Sequence, residues 1–364
     1  MRCGNLKSLT RVVEIRGCWA VWRRLTRRIQ GREVRTPWPD ADGLASEPVW
    51  TYEIGLRTRF RGLTQRQGMV WRGPAGWAEW SPFLDYAGAE LVPWLRAAQE
   101  AAELGWPEPL RDTIPVNCTI PAVGPAQAAA MAAGSGCGTA KVKVAEPGQS
   151  LVDDLDRVAA VRDALGRGGR VRIDANGAWD VDTAVDAIAK LRPYDLEYVE
   201  QPCATVEELA DLRRRLARAG TDTPIAADES IRRSADPLRV ARLGAADVAV
   251  LKVQPLGGVR MCLDLAEQIK LPVVVSSAVE TSIGIRAGVA LAAALPELPY
   301  ACGLNTVTLL ADDLAVEPLV AHGGLLRVAP LDIDPVALDR CAADSESRAL
   351  WQARLVQTQR LARR

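Results

Sequence analysis

From residue 116 onward, short apolar and β-branched runs recur at near-even intervals, and five consecutive ones carry a charged residue at or one place before their end. The runs are VNCTI at 116–120, KVKV at 141–144, RVRID at 170–174, LEYVE at 196–200, PIAAD at 224–228, VAVLKV at 248–253, PVVVSS at 272–277 and ACGLN at 301–305. Stretches of helical periodicity lie between them, at 151–165, 182–190, 206–219, 236–243, 259–269 and 285–295. Strands joined through helices need right-handed crossovers and so lie parallel, and eight of them predict an α/β fold closed into a (β/α) barrel. An open doubly wound sheet is the competing architecture, but no GxGxxG follows the first run.

The C-terminal ends of barrel strands converge on one face. Lys141 and Lys143 lie on the second run, and Asp174, Glu200, Asp228 and Lys252 end or nearly end the next four. From 143 onward the steps between them are 31, 26, 28 and 24 residues, each close to one repeat. A single strand-end Asp is commonly a helix cap and a single Lys commonly a solvated charge. Six in register predict a shared pocket instead. Three carboxylates from adjacent strands repel one another once desolvated, and a divalent cation bound through oxygen relieves that repulsion. With neither His nor Cys in the set, the expected ion is Mg²⁺, with Mn²⁺ as a substitute.

The 364 residues carry 45 Lys plus Arg against 45 Asp plus Glu, so the summed charge attracts neither nucleic acid nor an anionic membrane. No apolar run approaches the ~18–20 residues that span a bilayer. The expected partner is a small molecule, and the expected location is the cytoplasm. The eight cysteines form no CxxC, which removes zinc-type spacing. The single histidine, His322, reads as a turn residue, so chemistry near neutral pH must use carboxylates, lysines, cysteines or a metal. Only six of the 45 basic residues are lysine, and three of those six are Lys141, Lys143 and Lys252. Lysine can lose its proton where arginine cannot. Period-two alternation puts Lys141 and Lys143 on one strand face, where burial and mutual repulsion lower an amine towards the range of a base. A metal facing poised lysines suits removal of a proton α to a carboxylate, with the resulting enediolate stabilised electrostatically.

Residues 1–47 hold ten basic and five acidic side chains, and their apolar run at 18–22 is too short for a signal-peptide core. They are expected to be a disordered basic extension. Residues 48–113 predict a small α+β capping domain, with strand-like runs at 49–60, 67–72 and 76–80 and a helix at 87–104 stopped by Gly105 and Pro107. The barrel is expected over 114–306, and 307–364 form a C-terminal segment that packs partly back on the cap.

Taken in order, KxK at 141–143, DAN at 174–176, Glu200 followed by Gln-Pro, DES at 228–230 and the isolated Lys252 in LKVQPLGG resemble the enolase superfamily, specifically its muconate-lactonizing subgroup. The likeness extends over about residues 48–330 and includes LRTRFRG at 56–62, RGPAGWAEWSPF at 72–83 and SSAVETSIG at 276–284. It implies an enolase-type modified TIM barrel with an α+β cap, and Mg²⁺ held by Asp174, Glu200 and Asp228. It also implies Lys143 as the base that takes the α proton and then, as conjugate acid, helps hydroxide leave. Lys252 would stabilise the enediolate and Lys141 would assist. The dehydratases of the subgroup give the nearest wording. The implied reaction is then syn-dehydration of the dianionic 2-succinyl-6-hydroxy-2,4-cyclohexadiene-1-carboxylate, a step of menaquinone biosynthesis. The alternative is an N-succinylamino acid racemase or dipeptide epimerase that uses Lys143 and Lys252 as two bases. Position alone suggests Arg59, Asn176, Ser276, Ser277, Gly303 and Asn305 as substrate contacts. Gln201 stands where relatives often carry a second acid, and no His-Asp dyad of the mandelate-racemase kind is present. The oligomeric state stays open.

Overall fold

The structure, a computed structural model, describes residues 48–363. The predicted disordered extension, 1–47, lies outside the described residues.

Three antiparallel strands open the fold, β1 (Val49–Phe60), β2 (Leu63–Gly73) and β3 (Gly76–Trp80), in the order β1-β2-β3. β1 and β2 meet through Arg61 and Gly62, both in the left-handed region with φ of 52° and 78°. A two-residue turn of this kind matches the twist of a hairpin, so β2 starts at Leu63 rather than at the predicted 67. Helix Leu91–Glu103 packs its buried Trp94 and Leu95 against this sheet. Gly105, with φ of 64°, follows the helix as predicted.

After the short β4 (Thr113–Pro115) come seven parallel strands: β5 (Cys118–Ile120), β6 (Thr139–Lys143), β7 (Arg170–Asp174), β8 (Leu196–Glu200), β9 (Ile225–Ala227), β10 (Val248–Lys252) and β11 (Val273–Ser276). They pair in strict sequence order. The predicted eighth strand, 301–305, is a correction, because it forms isolated bridges only. Cys302 N donates to Pro115 O at 2.7 Å and Cys302 O accepts from Asn117 N at 2.9 Å, while Gly303 N donates to Val275 O at 2.8 Å. This segment therefore ties the β5 edge to the β11 edge. The chain then leaves in a 3-10 turn at Thr306–Leu309, which ends the pairing. β12 (Leu325–Arg327) runs antiparallel to β4.

Alternation along the strands separates two environments. Val142, Ile173, Val199, Leu251 and Val275 belong to the large apolar core shared with the surrounding helices. Tyr198, Ala226, Val250 and Val274 form a separate inner cluster, in which Arg172 lies 4.7 Å over the Tyr198 ring. Helix Leu151–Leu165 has the predicted bounds and starts with a capping box formed by Ser150 and Asp153. The predicted helix at 236–243 contracts to Arg239–Arg242. Helices Pro125–Gly134 and Ser345–Ala362 had no counterpart in the sequence reading. The latter packs on the cap, with Trp351 edge-on to Trp80 at 5.4 Å. Among the described residues no helix is long and apolar enough to cross a membrane.

Candidate active site

Parallel pairing sets Lys143 beside Asp174 and Asp174 beside Glu200 across β6, β7 and β8. Asp228 follows β9, and Lys252 ends β10 beside Ser276. The structure thus brings together all six strand-end charges, each of them no more than 6% exposed. Lys141 Nζ donates to Glu200 Oε1 at 2.9 Å and to Asp174 Oδ2 at 3.1 Å. Lys143 Nζ donates to Asp174 Oδ2 at 2.5 Å and to Asn176 Oδ1 at 2.6 Å. Lys252 Nζ donates to Asp228 Oδ2 at 2.6 Å, and Arg232 Nε takes the other oxygen at 2.9 Å.

These contacts set the two neighbouring lysines apart. Burial disfavours the charged form of Lys141, but Glu200 and Asp174 together outweigh it and hold its pKa above the ordinary lysine value. Lys143 has burial against it as well, and only Asp174 pairs with it directly, while Lys141 and Arg61 add repulsion. Its pKa falls to about 8. Burial would raise Asp174, yet the charges of Lys143 and Lys141 keep it well below the usual carboxylate range. Asp228 is likewise lowered, because Arg232 and Lys252 outweigh its burial. Glu200 is pushed up to about 7 by burial and by the Asp174 charge.

Three buried carboxylates at adjacent strand ends offer only oxygen donors, as a hard divalent cation requires. Glu200 is the member whose charge the ammonium groups compensate least, and burial first, then the charges of Asp174 and Asp228, raise its pKa. The residues fit such an ion in donor type and in unrelieved negative charge. Among the described residues no three acidic, His or Cys side chains already form a cage for an ion. Lys141 stands between Asp174 and Glu200, and Lys252 is paired with Asp228.

A small pocket lies above these groups, with Lys141, Lys143 and Lys252 in its lining. Ser276, Ser277 and Gly303 are also in its lining. Gly303 is required there, because a Cβ would sit 2.6 Å from Ser276 Oγ. Arg59 is a correction: it is exposed and does not line the pocket, since alternation along β1 sends it outward while Phe60 turns in. Asn305 is a second correction. Its side chain is buried, and Oδ1 accepts from Ala321 N at 3.0 Å, so it anchors a following loop outside the pocket lining. Asn176 is not part of the lining either, but bridges Lys143 to Glu229, whose Oε1 accepts from Asn176 Nδ2 at 3.1 Å. Gln201 joins the ends of β8 and β9, accepting from Asp228 N at 2.9 Å and donating to Ser230 Oγ at 2.7 Å. His322 sits in a turn closed by its N–H on Leu325 O at 3.0 Å.

Phe60 and Arg61 in the lining belong to the 59–62 loop that the sequence places over the substrate, whereas Phe83, Thr119, Ala278 and Val279 were not singled out. A signal for Phe83 was present: the chain has only two phenylalanines, and both face this pocket.

An antiparallel cap over a parallel barrel, with lysines and carboxylates ringed at the strand ends, defines an enolase-type protein. Residues 125–331 match the family described as "Enolase C-terminal domain-like" and residues 51–102 match "Enolase N-terminal domain-like". The chain belongs to the enolase superfamily, in the same family as curated relatives that bear the name o-succinylbenzoate synthase. The relative from Thermobifida fusca is 63% identical over 84% of this chain and 93% of that protein. The one from Mycolicibacterium smegmatis is 53% identical over 84% and 93%. Among solved structures, N-succinyl Arg/Lys racemase from Bacillus cereus superposes with a TM-score of 0.70 at 19% identity, covering 81% of this chain and 97% of that one. Muconate lactonizing enzyme from Pseudomonas fluorescens gives a TM-score of 0.68 at 22% identity, covering 82% and 99%. These two likenesses are of fold.

Proposed function

We propose that this protein is an o-succinylbenzoate synthase that dehydrates 2-succinyl-6-hydroxy-2,4-cyclohexadiene-1-carboxylate as a step of menaquinone biosynthesis. The observation that carries the reading is Lys143, a buried amine lowered to about 8 and placed in one pocket with Lys252, in a chain 63% identical to a protein of that name. In this reading residues 48–113 cap the barrel of 114–306, and part of 307–364 packs back on the cap.

Neutral Lys143 takes the α proton, and the electron pair of the C–H bond passes into the substrate carboxylate. Asn176 and Asp174 aim its Nζ by accepting hydrogen bonds from it. The protonated Lys143 then donates to the hydroxyl on the same face as the C–O bond breaks, releasing water and an aromatic ring. Lys252, ion-paired to Asp228, supports the charge of the enediolate. Lys141, held protonated by two carboxylates, lends positive potential without competing for the proton. A divalent cation held by Asp174, Glu200 and Asp228 supplies, when bound, positive charge for the substrate carboxylate. Ser276 and Ser277, which line the pocket, provide hydroxyls for the succinyl arm.

Two lysines in one pocket would also serve proton exchange at a single carbon, which is the racemase reading, but the relatives' name favours dehydration. The test is an assay of purified protein with Mg²⁺ and the cyclohexadiene acid, followed by ultraviolet loss of the diene, with racemisation of N-succinyl-phenylglycine run in parallel. Mg²⁺-dependent loss of the diene is expected. Racemisation without dehydration would overturn the assignment.

A further inference from the structure

The turn after β11 holds a backbone conformation that its own residues disfavour. Val279 has φ of 60°, a left-handed geometry that is a genuine outlier for a β-branched residue and tends to mark functional sites. Its side chain is buried, lines the pocket and belongs to the same apolar cluster as Phe60.

What holds this turn comes largely from the cap. Arg66 on β2 donates from Nε to Val279 O at 3.2 Å. Glu79 on β3 accepts from Thr281 Oγ1 at 2.5 Å, and within the turn Glu280 Oε2 accepts from Ala278 N at 2.6 Å. Arg66 is 3% exposed, also donates to the carbonyls of Gln67 and Ser81, and lies 4.5 Å over the ring of Phe83. A guanidinium is a planar, rigid fork of donors, so three carbonyls bound at once hold three points of the chain in one geometry. Two of these points are on the cap and the third is Val279.

We infer, resting on the dehydratase reading above, that Arg66 is a positioning residue for substrate specificity: from the cap it holds Val279 left-handed, so that Val279 and Phe60 form the apolar wall against the substrate ring. Without that hydrogen bond the turn relaxes towards negative φ, the isopropyl group leaves the wall, and the pocket widens. Arg66 acts through Val279 and does not itself touch substrate.

The experiment is steady-state kinetics on V279G, R66K, R66Q and R66Q/V279G, with thermal melts of each. Glycine adopts this φ at no steric penalty, which offsets much of the packing lost with the buried isopropyl group, so V279G is expected to melt within a few degrees of the parent. Its KM is expected to rise about tenfold, with kcat falling by less, as for loss of one apolar contact in a pocket. R66Q is expected to raise KM similarly and R66K to fall between. R66Q/V279G should be no worse than V279G alone, because both changes act on one wall. An unchanged KM in V279G, or effects that multiply in the double variant, would overturn the inference while leaving the dehydratase reading intact. Should R66Q not fold, the KM of V279G decides alone. A parent protein that does not turn over the cyclohexadiene acid overturns the dehydratase reading and this inference with it.

Discussion

The pocket has a floor and a roof built in different ways. The floor consists of charged side chains on consecutive parallel strands, each buried and locked into ion pairs of 2.5–3.1 Å. The roof consists of Phe60, Arg61 and Phe83, supplied by a two-residue turn and a loop of the cap. Arg61 pairs with Glu229 of the barrel at 3.6 Å, with 28% of its side chain exposed. Proton transfer demands donors and acceptors held to within a fraction of an ångström, which a sheet provides. Substrate selection needs shape and charge at the mouth, which loops provide on a rigid scaffold. Floor variants should therefore lose kcat, and roof variants should lose affinity.

The largest effect should come from Lys143→Arg, which keeps the charge and removes the titratable amine. Its kcat is expected to fall by about 10²–10⁴-fold, while binding of o-succinylbenzoate, followed by calorimetry, changes little. Turnover within a few fold of the parent would break the division at its centre. Asp228→Asn takes an acid from the floor and leaves Lys252 and Arg232 without their anion. Calorimetric titration should show Mg²⁺ bound about 10–100-fold more weakly, at least the loss seen when outer-shell partners of a metal are removed.

The pH profile is expected next. Lys143 must be neutral to accept a proton, so kcat/KM should rise with pH through about 8 and level off above it. Between pH 7 and 9 the neutral fraction grows about tenfold, since each unit below a pKa is a factor of ten. A profile that falls over this range would exclude Lys143 as the base. The smallest effects belong to the roof. Arg61→Ala should raise KM about three- to tenfold with kcat nearly unchanged, as for a contact made equally in ground and transition states. Arg59→Ala, two places away but exposed, should stay within about twofold, as surface substitutions usually do. A deeper loss of kcat in Arg61→Ala than in Asp228→Asn would merge floor and roof into one unit.

The difference between the regions also explains which parts were legible beforehand. Lys143, Asp174, Glu200, Asp228 and Lys252 could be placed together because parallel register carries each repeat to the same level, so spacing along the chain becomes proximity in space. Arg59 misled because alternation along β1 turns it outward beside the inward Phe60, and the two-residue left-handed turn that follows breaks that alternation and brings Arg61 to the pocket. Asn305 misled for a related reason. The segment 301–305 closes the barrel by bridges rather than as a full strand, so counting along it did not give the direction of its side chains.

The order of chemical groups around the barrel mouth, the oxygen-only donors of its acidic set and the concentration of scarce lysines there were determined by the sequence alone, because they depend on short-range periodicity repeated once per βα unit. Tertiary structure decided the rest. Lys141 and Lys143 have the same strand, face and chemistry, yet they separate into a held cation and an amine near 8, because the balance of charges around each comes from β7, β8 and the cap turn. Val279 takes its left-handed backbone in contact with Arg66, 213 positions away in the chain. Electrostatic neighbours and backbone strain are properties of long-range contacts, and no local pattern encodes which distant residue will supply them.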